Sequence, residues 1–293
     1  MYKSLSPGNV NIQANGFVQT LELARNNGFG AVSYSPASLK AEGLDTFQAL
    51  DLMGQYGVII SDFGLPVQIT DRAGFNQSFA ALEPMAKAAA KLGIHRCCTW
   101  MLSFSNDFEY AENFKRHTDM FRLIAEVLDE YGILFGVEFL GPKPILNSGK
   151  YPFIHTLKQL MELCDAVGTG NMGVLLDAHH CYCSGLKGGE FVKDIRNERE
   201  IVLVHLNDDA PGVPVDEIGD SPRYYPGEQG SGGNDLHGFM NALKQIKYTG
   251  PVVMEPFSEA LKEIAGSDKN DKNEKIAKIV SESIDSVWCS PKK

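Results

Sequence analysis

The sequence predicts a single α/β domain, a (β/α)8 TIM barrel running over residues 1–293. Three observations lead there: eight short apolar runs, longer amphipathic stretches between them, and no break in composition along the chain. The runs centre near Leu5, Val32, Ile59, Cys98, Val137, Leu175, Leu203 and Val253, spaced 27 to 50 residues apart. Each interval holds a loop, a helix and a second loop, the content of one βα unit.

The strands read as members of a parallel sheet. Ile133-Leu134-Phe135-Gly136-Val137 and Ile201-Val202-Leu203-Val204 are almost unbroken apolar stretches, as expected of a strand buried on both faces. Between the strands, Phe17, Leu21 and Ala24 share one helical face before a stop at Asn26-Asn27-Gly28. Phe121, Ile124, Leu128 and Tyr131 do the same on a helix that ends at Gly132. The last segment, about 258–290, is interrupted near Gly266-Ser267-Asp268 and predicts two helices or a broken one. An open doubly wound sheet is the competing architecture. It gives no reason for eight units, and Ser6-Pro7-Gly8-Asn9 after the first strand is neither a Walker nor a dinucleotide-binding loop. The longest interval contains 208–234, rich in Gly, Pro, Asp and Ser. It follows a strand, so a barrel would place it on the C-terminal face, where barrel enzymes build their active sites.

Bulk properties narrow the function. Hydrophobic residues make up 43% and charged residues 22% of the 293, an ordinary globular balance. A net charge of −10 argues against a nucleic-acid partner, because phosphate binding draws on surplus Lys and Arg. Six sparse cysteines, at 97, 98, 164, 181, 183 and 289, are not laid out as a disulfide scaffold. The first residues lack the apolar core of a signal peptide, and no run reaches membrane-spanning length. A reduced, cytoplasmic protein without a membrane partner is the expectation.

The informative residues close the apolar runs. Glu138, Asp177, His205 and Glu255 each end one of four consecutive strands, the fifth to the eighth. A charge there is costly to bury unless it is paired or metal-bound. Closing the barrel would gather all four around one point. Three carboxylates and an imidazole suit Mn²⁺ or Mg²⁺, with Co²⁺ or Zn²⁺ as alternatives, and argue against copper or an iron–sulfur cluster.

The pieces Gly136-Val137-Glu138, Leu176-Asp177-Ala178-His179-His180, Val204-His205-Leu206-Asn207-Asp208 and Met254-Glu255-Pro256 carry a resemblance. The sequence resembles the xylose-isomerase-like barrels, the sugar isomerase and epimerase superfamily that includes ketose 3-epimerases and inosose dehydratases. The resemblance covers essentially the whole chain, with its specific motifs in the second half. It implies that Glu138, Asp177, His205 and Glu255 hold a divalent metal, and that His180 contacts substrate oxygens. It also implies that Glu138 and Glu255 exchange the proton on a sugar or polyol through an enediolate. The resemblance implies a substrate-contacting Arg soon after the metal-binding His; Arg223, 18 positions beyond His205, departs from that spacing and reads as that substrate contact or as a solvated loop arginine.

Further candidates come from position alone. Lys143 follows Glu138 closely enough to reach the same mouth and reads equally as a carboxylate- or phosphate-binding residue or as a plain surface lysine. Trp100, ending the fourth strand, reads equally as a wall of the sugar pocket or as core. Asp208 reads as a partner orienting His205 or as the cap of the long loop. His179 reads as packing beside the site. Cys181 and Cys183 beside His179 and His180 invite a zinc reading, but C-x-C lacks the second ligand pair of a structural zinc site. Cys97 and Cys98 read as small core residues.

The leading expectation is a metal-dependent sugar or polyol isomerase or epimerase, with an inosose-type dehydratase as an alternative outcome on the same site. An apurinic endonuclease-like phosphodiesterase shares the barrel. It would need more strand-end His and Asp ligands and a basic surface, against seven histidines and a charge of −10. A non-catalytic barrel would be expected to have lost a ligand. The expected partner is a small sugar or polyol, with a homo-oligomer as a further expectation taken from relatives.

Overall fold

Every predicted run forms a strand in the computed structural model, which describes residues 1–288. In chain order the strands are β1 Tyr2–Leu5, β2 Ala31–Ser33, β3 Ile59–Gly64, β4 Arg96–Met101, β5 Phe104–Ser105, β6 Leu134–Phe139, β7 Tyr151–Pro152, β8 Met172–Asp177, β9 Ile201–Leu206 and β10 Pro251–Met254. Eight of them close into a parallel barrel in the order β1-β2-β3-β4-β6-β8-β9-β10, with β10 returning to β1. The fold is therefore the (β/α)8 barrel that the sequence predicts. The short β5 and β7 were not anticipated; they pair antiparallel with each other, outside the barrel.

Helices pack outside because their apolar stripes match the outward faces of the strands. Phe17, Leu21 and Ala24 are fully buried on the helix Gly16–Asn26, and Gly28 takes the left-handed conformation two residues past its end. Phe121 and Ile124, on the helix Tyr110–Glu130, are also fully buried, and Phe121 meets Phe135 of β6 edge-on at 5.5 Å. The final segment is two helices, Glu259–Ala265 and Lys272–Trp288, separated where the sequence is interrupted. Cys289 and Ser290 lie outside the described residues. Inside the barrel, Cys98, Leu175, Val202, Leu203 and Val253 form a separate apolar plug. Gly136 of β6 faces that plug: a Cβ there would stand 2.8 Å from Cys98 Sγ and 2.9 Å from Val202 Cβ, so only glycine fits. Leu175 and Leu203 from the plug also form the floor of the cavity above it.

The apolar layer between barrel and helices carries one buried imidazole with a measurable consequence. His117 is 6% exposed, its Nδ1 donates to Asn113 O at 2.8 Å, and its ring meets Phe121 edge-on. Burial pushes its pKa from 6.5 down to about 4. The unfolded chain therefore takes up a proton below about pH 6.5 that the folded chain refuses until about pH 4. Stability present above pH 6.5 should be lost as pH falls through that window, by up to about 3 kcal/mol. Denaturant unfolding of wild type and His117→Gln at pH 7 and pH 4.5 checks this. The variant should lose less stability between the two pH values, and an equal loss would exclude His117 as the source.

Candidate metal centre and adjoining cavity

Strand geometry positions each donor. Glu138 is the fifth residue of β6, Asp177 the last of β8, His205 the fifth of β9, and Glu255 follows the last residue of β10. Asp177 is registered directly against His205, and the Glu255 amide extends the ladder by donating to Leu206 O at 3.1 Å. Donor atoms of Glu138, Asp177, His205 and Glu255 all lie within 4.8 Å of one another. The structure thus brings the four strand-end residues together at the C-terminal mouth.

The electrostatics of this group are strained as it stands. His205 Nδ1 is 3.0 Å from Glu255 Oε2 and 3.3 Å from Glu138 Oε1. Neither His205 Nδ1 nor Glu138 Oε1 makes a well-directed hydrogen bond, although both are buried. Buried polar atoms without partners are costly, and a cation between them would satisfy both. Burial and repulsion from Glu255 push the Glu138 carboxyl up to about 7. Burial acts the same way on Glu255, but His205 and Arg223 outweigh it and hold that carboxyl below its usual range. Burial lowers the His205 pKa, yet Glu255 and Glu138 outweigh it and carry it well above 6.5.

Asp177 also organises the neighbouring chain. Its Oδ1 accepts the His180 amide at 3.0 Å and so caps the helix Ala178–Cys183, while its Oδ2 accepts from Asn207 Nδ2 at 2.9 Å. That helix turn fixes His180, which is fully buried and kept neutral by burial and by the nearby Arg223 guanidinium. Gly141 passes so close to this turn that a Cβ would stand 2.2 Å from His180 O.

The long loop after β9 folds back into the site. Asp208 pairs with Tyr224 through both backbone groups, and Asp208 Oδ1 accepts the amides of Asp209 and Asn234. Asp208 is therefore the loop organiser of its two readings. The loop delivers Arg223, 2% exposed, to the donor cluster. Its Nη1 lies 3.0 Å from Glu255 Oε2 and 3.3 Å from Asp177 Oδ2; its Nη2 lies 3.2 Å from His180 Nε2 and 2.5 Å from Asp220 Oδ1. The guanidinium also stacks 4.3 Å from the centre of the Phe257 ring.

The remaining candidates divide. Trp100 is 52% exposed and borders the cavity of about 250 Å³ that Glu138, His205 and Glu255 line, so the core reading of this residue is corrected. Lys143 is not among the residues lining that cavity: its Nζ pairs with Asp216 Oδ1 at 2.6 Å, with both side chains about half exposed or more. Nearness in sequence to Glu138 did not bring Lys143 to the mouth, because the loop after β6 turns it toward the segment 215–217. His179 does not face the cavity either; its Nδ1 pairs with Asp209 Oδ1 at 2.6 Å, beside Cys183, all three buried. Five polar residues of the cavity were missed: Ser6, Asn9, Ser33 on β2, Asp62 on β3 and Thr99, with Asn9 Nδ2 donating to Glu255 Oε1 at 3.2 Å. The polar pair Ser61-Asp62 interrupting an apolar strand was the available signal for Asp62.

Fold and donor cluster together define a parallel-barrel protein with a candidate divalent-metal centre at its C-terminal mouth. The chain belongs to the xylose isomerase-like TIM barrel family, whose profile matches residues 21–285. It is similar to the inosose isomerase of Halalkalibacterium halodurans, 24% identical over 253 residues and covering 84% of each chain. It is 26% identical over 188 residues to the inosose isomerase of Bacillus subtilis, where the match spans 64% of this chain and 63% of that relative, just under two thirds of its length. Among solved structures, a xylose isomerase domain protein from Alicyclobacillus acidocaldarius superposes with a TM-score of 0.82 at 25% identity, covering 98% of each chain. No described helix is long and apolar enough to cross a membrane.

Proposed function

We propose that this protein is a divalent-metal-dependent isomerase or epimerase of a small sugar or polyol. One observation carries the reading: four donors from four successive barrel strands converge within 4.8 Å, with two of their buried polar atoms lacking hydrogen bonds. Glu138, Asp177, His205 and Glu255 would hold the ion. The oxygen-rich donor set suits Mn²⁺ or Mg²⁺, and Co²⁺ or Zn²⁺ fit less well. When bound, the ion supplies Lewis-acid stabilisation of the negative charge that develops on the substrate oxygens.

The chain's own groups do the rest. Glu138 and Glu255 hang from different strands on either side of His205, so each can reach a carbon of a sugar lying between them. One removes the proton next to a carbonyl to give an enediolate, and the other returns a proton to the same or the neighbouring carbon. Arg223 would donate hydrogen bonds to substrate oxygens, while neutral His180, whose Nε2 accepts from Arg223 Nη2, steadies that guanidinium. Trp100 shields one side of the mouth and packs against the apolar face of a sugar ring. The inosose isomerase relatives favour isomerisation; a dehydratase would share the enolising step and then expel a hydroxyl.

The test is solvent exchange. Protein loaded with Mn²⁺ and incubated in D₂O with ketoses and inososes should place deuterium on the carbon next to the carbonyl, with about one metal ion per chain. Absence of exchange on every such substrate would remove the isomerase reading. Two or three zinc ions per chain would favour the phosphodiesterase.

A further inference from the structure

The cavity has a second polar end. β3 stands diametrically opposite β9 in the ring of eight strands, with β2 beside it. Asp62 of β3 and Ser33 of β2 line the cavity from that side. Asp62 is 8% exposed, and Ser33 Oγ and Ser61 Oγ both donate to its Oδ1, at 2.8 and 2.5 Å. Its Oδ2 has no hydrogen-bond partner among the described residues. Ser33, having donated its proton, keeps its lone pairs for another donor. Asp62 lines the cavity, so this free acceptor is available to a hydroxyl that enters it. No Lys or Arg is among the residues lining the cavity, and its side-chain donors Ser6, Asn9 and Thr99 make no hydrogen bond to Asp62.

We propose that Asp62 and Ser33 form a hydroxyl-binding subsite for the end of the substrate remote from the metal donors, selecting an uncharged polyhydroxylated chain or ring over a phosphorylated one. The proposal rests on reading the cavity as a sugar site. Two neighbouring acceptors match two hydroxyl donors on adjacent carbons. A phosphate presents strong acceptors and negative charge, and would meet a carboxylate in a cavity lined by no Lys or Arg. Burial raises the Asp62 pKa, while the two serine hydrogen bonds and the fields of His205 and Arg96 act the other way. Both protonation states still offer an acceptor to a hydroxyl.

Titration calorimetry tests this with a ketohexose, its 6-deoxy form and its 6-phosphate, and with an inosose and a monodeoxy inosose, each on the Mn²⁺-loaded protein. Wild type should prefer the fully hydroxylated member of at least one series by about 10- to 100-fold, and should reject the phosphate at least as strongly. Asp62→Ala should bring the affinities for the hydroxylated and deoxy members within about threefold of each other. Asp62→Asn, which keeps volume and one acceptor, should retain part of the preference and bind the phosphate better than wild type does. Ser33→Ala should weaken the preference without abolishing it, and melting curves establish that each variant is folded. Unchanged preferences in Asp62→Ala, or tighter binding of the phosphate than of the free sugar by wild type, would overturn the subsite. Deuterium exchange on the same samples separates the two readings. An Asp62-dependent preference without exchange leaves the subsite standing and removes the isomerase. Exchange with an Asp62-independent preference does the reverse.

Discussion

Glu255→Gln is expected to abolish α-proton exchange, by a factor of about 10³ or more, because it removes both a proposed metal donor and one of the two proposed proton-transfer groups. The charge it deletes is central: Glu255 Oε2 lies 3.0 Å from His205 Nδ1 and 3.0 Å from Arg223 Nη1. In wild type, Mn²⁺ at about a hundredfold excess over its Kd should stabilise the fold by roughly 2.7 kcal/mol, or about 5 °C in Tm. In Glu255→Gln most of that shift should disappear, and metal content should fall well below one per chain. Metal analysis, thermal unfolding with and without Mn²⁺, and exchange in D₂O measure the three effects independently. A variant that keeps both metal and exchange would show that these four residues are not the working ligand set.

The second large effect concerns Arg223. The guanidinium is buried between Asp177, Glu255 and Asp220 and is the cation nearest the donor cluster. Arg223→Met keeps much of the volume and removes the charge, leaving buried carboxylates uncompensated. Without metal, the variant should lose about 3 kcal/mol or more of stability, the size found when one partner of a buried pair is deleted. Added Mn²⁺ should recover much of that loss, so metal should stabilise the variant more than it stabilises wild type. Turnover should not recover with it, on the proposal that Arg223 also donates hydrogen bonds to substrate oxygens. Arg223→Lys should restore stability better than activity, since an ammonium supplies charge without the planar fork that spans Glu255 and His180. Equal recovery of stability and activity in Arg223→Lys would make Arg223 a counter-charge alone.

Some of this was legible in the chain. A parallel barrel buries its strands on both faces, so each strand appears as an apolar run, and a polar residue closing such a run stands out. Glu138, Asp177, His205 and Glu255 all stand out in that way. Asp62 was less visible because β3 continues through Phe63 and Gly64, so its polar residue reads as an interior interruption. Lys143 misled because closeness in sequence says nothing about the direction of a side chain once the loop after β6 has turned. Trp100 could be assigned to core or rim only once its surroundings were known.

The sequence by itself determined the eight-unit barrel, the order of its strands and the four residues able to meet at one mouth. Hydrophobic period and strand-end chemistry are local properties that survive in one dimension. The tertiary structure alone decided that Arg223 crosses 18 positions to reach Asp177 and Glu255, that Asp62 lines the same cavity as Glu138, His205 and Glu255, and that His179 turns away to Asp209. Those contacts depend on how loops of no regular period fold back over the strand ends. Only the closed barrel supplies the ring in which β3 and β9 stand opposite each other.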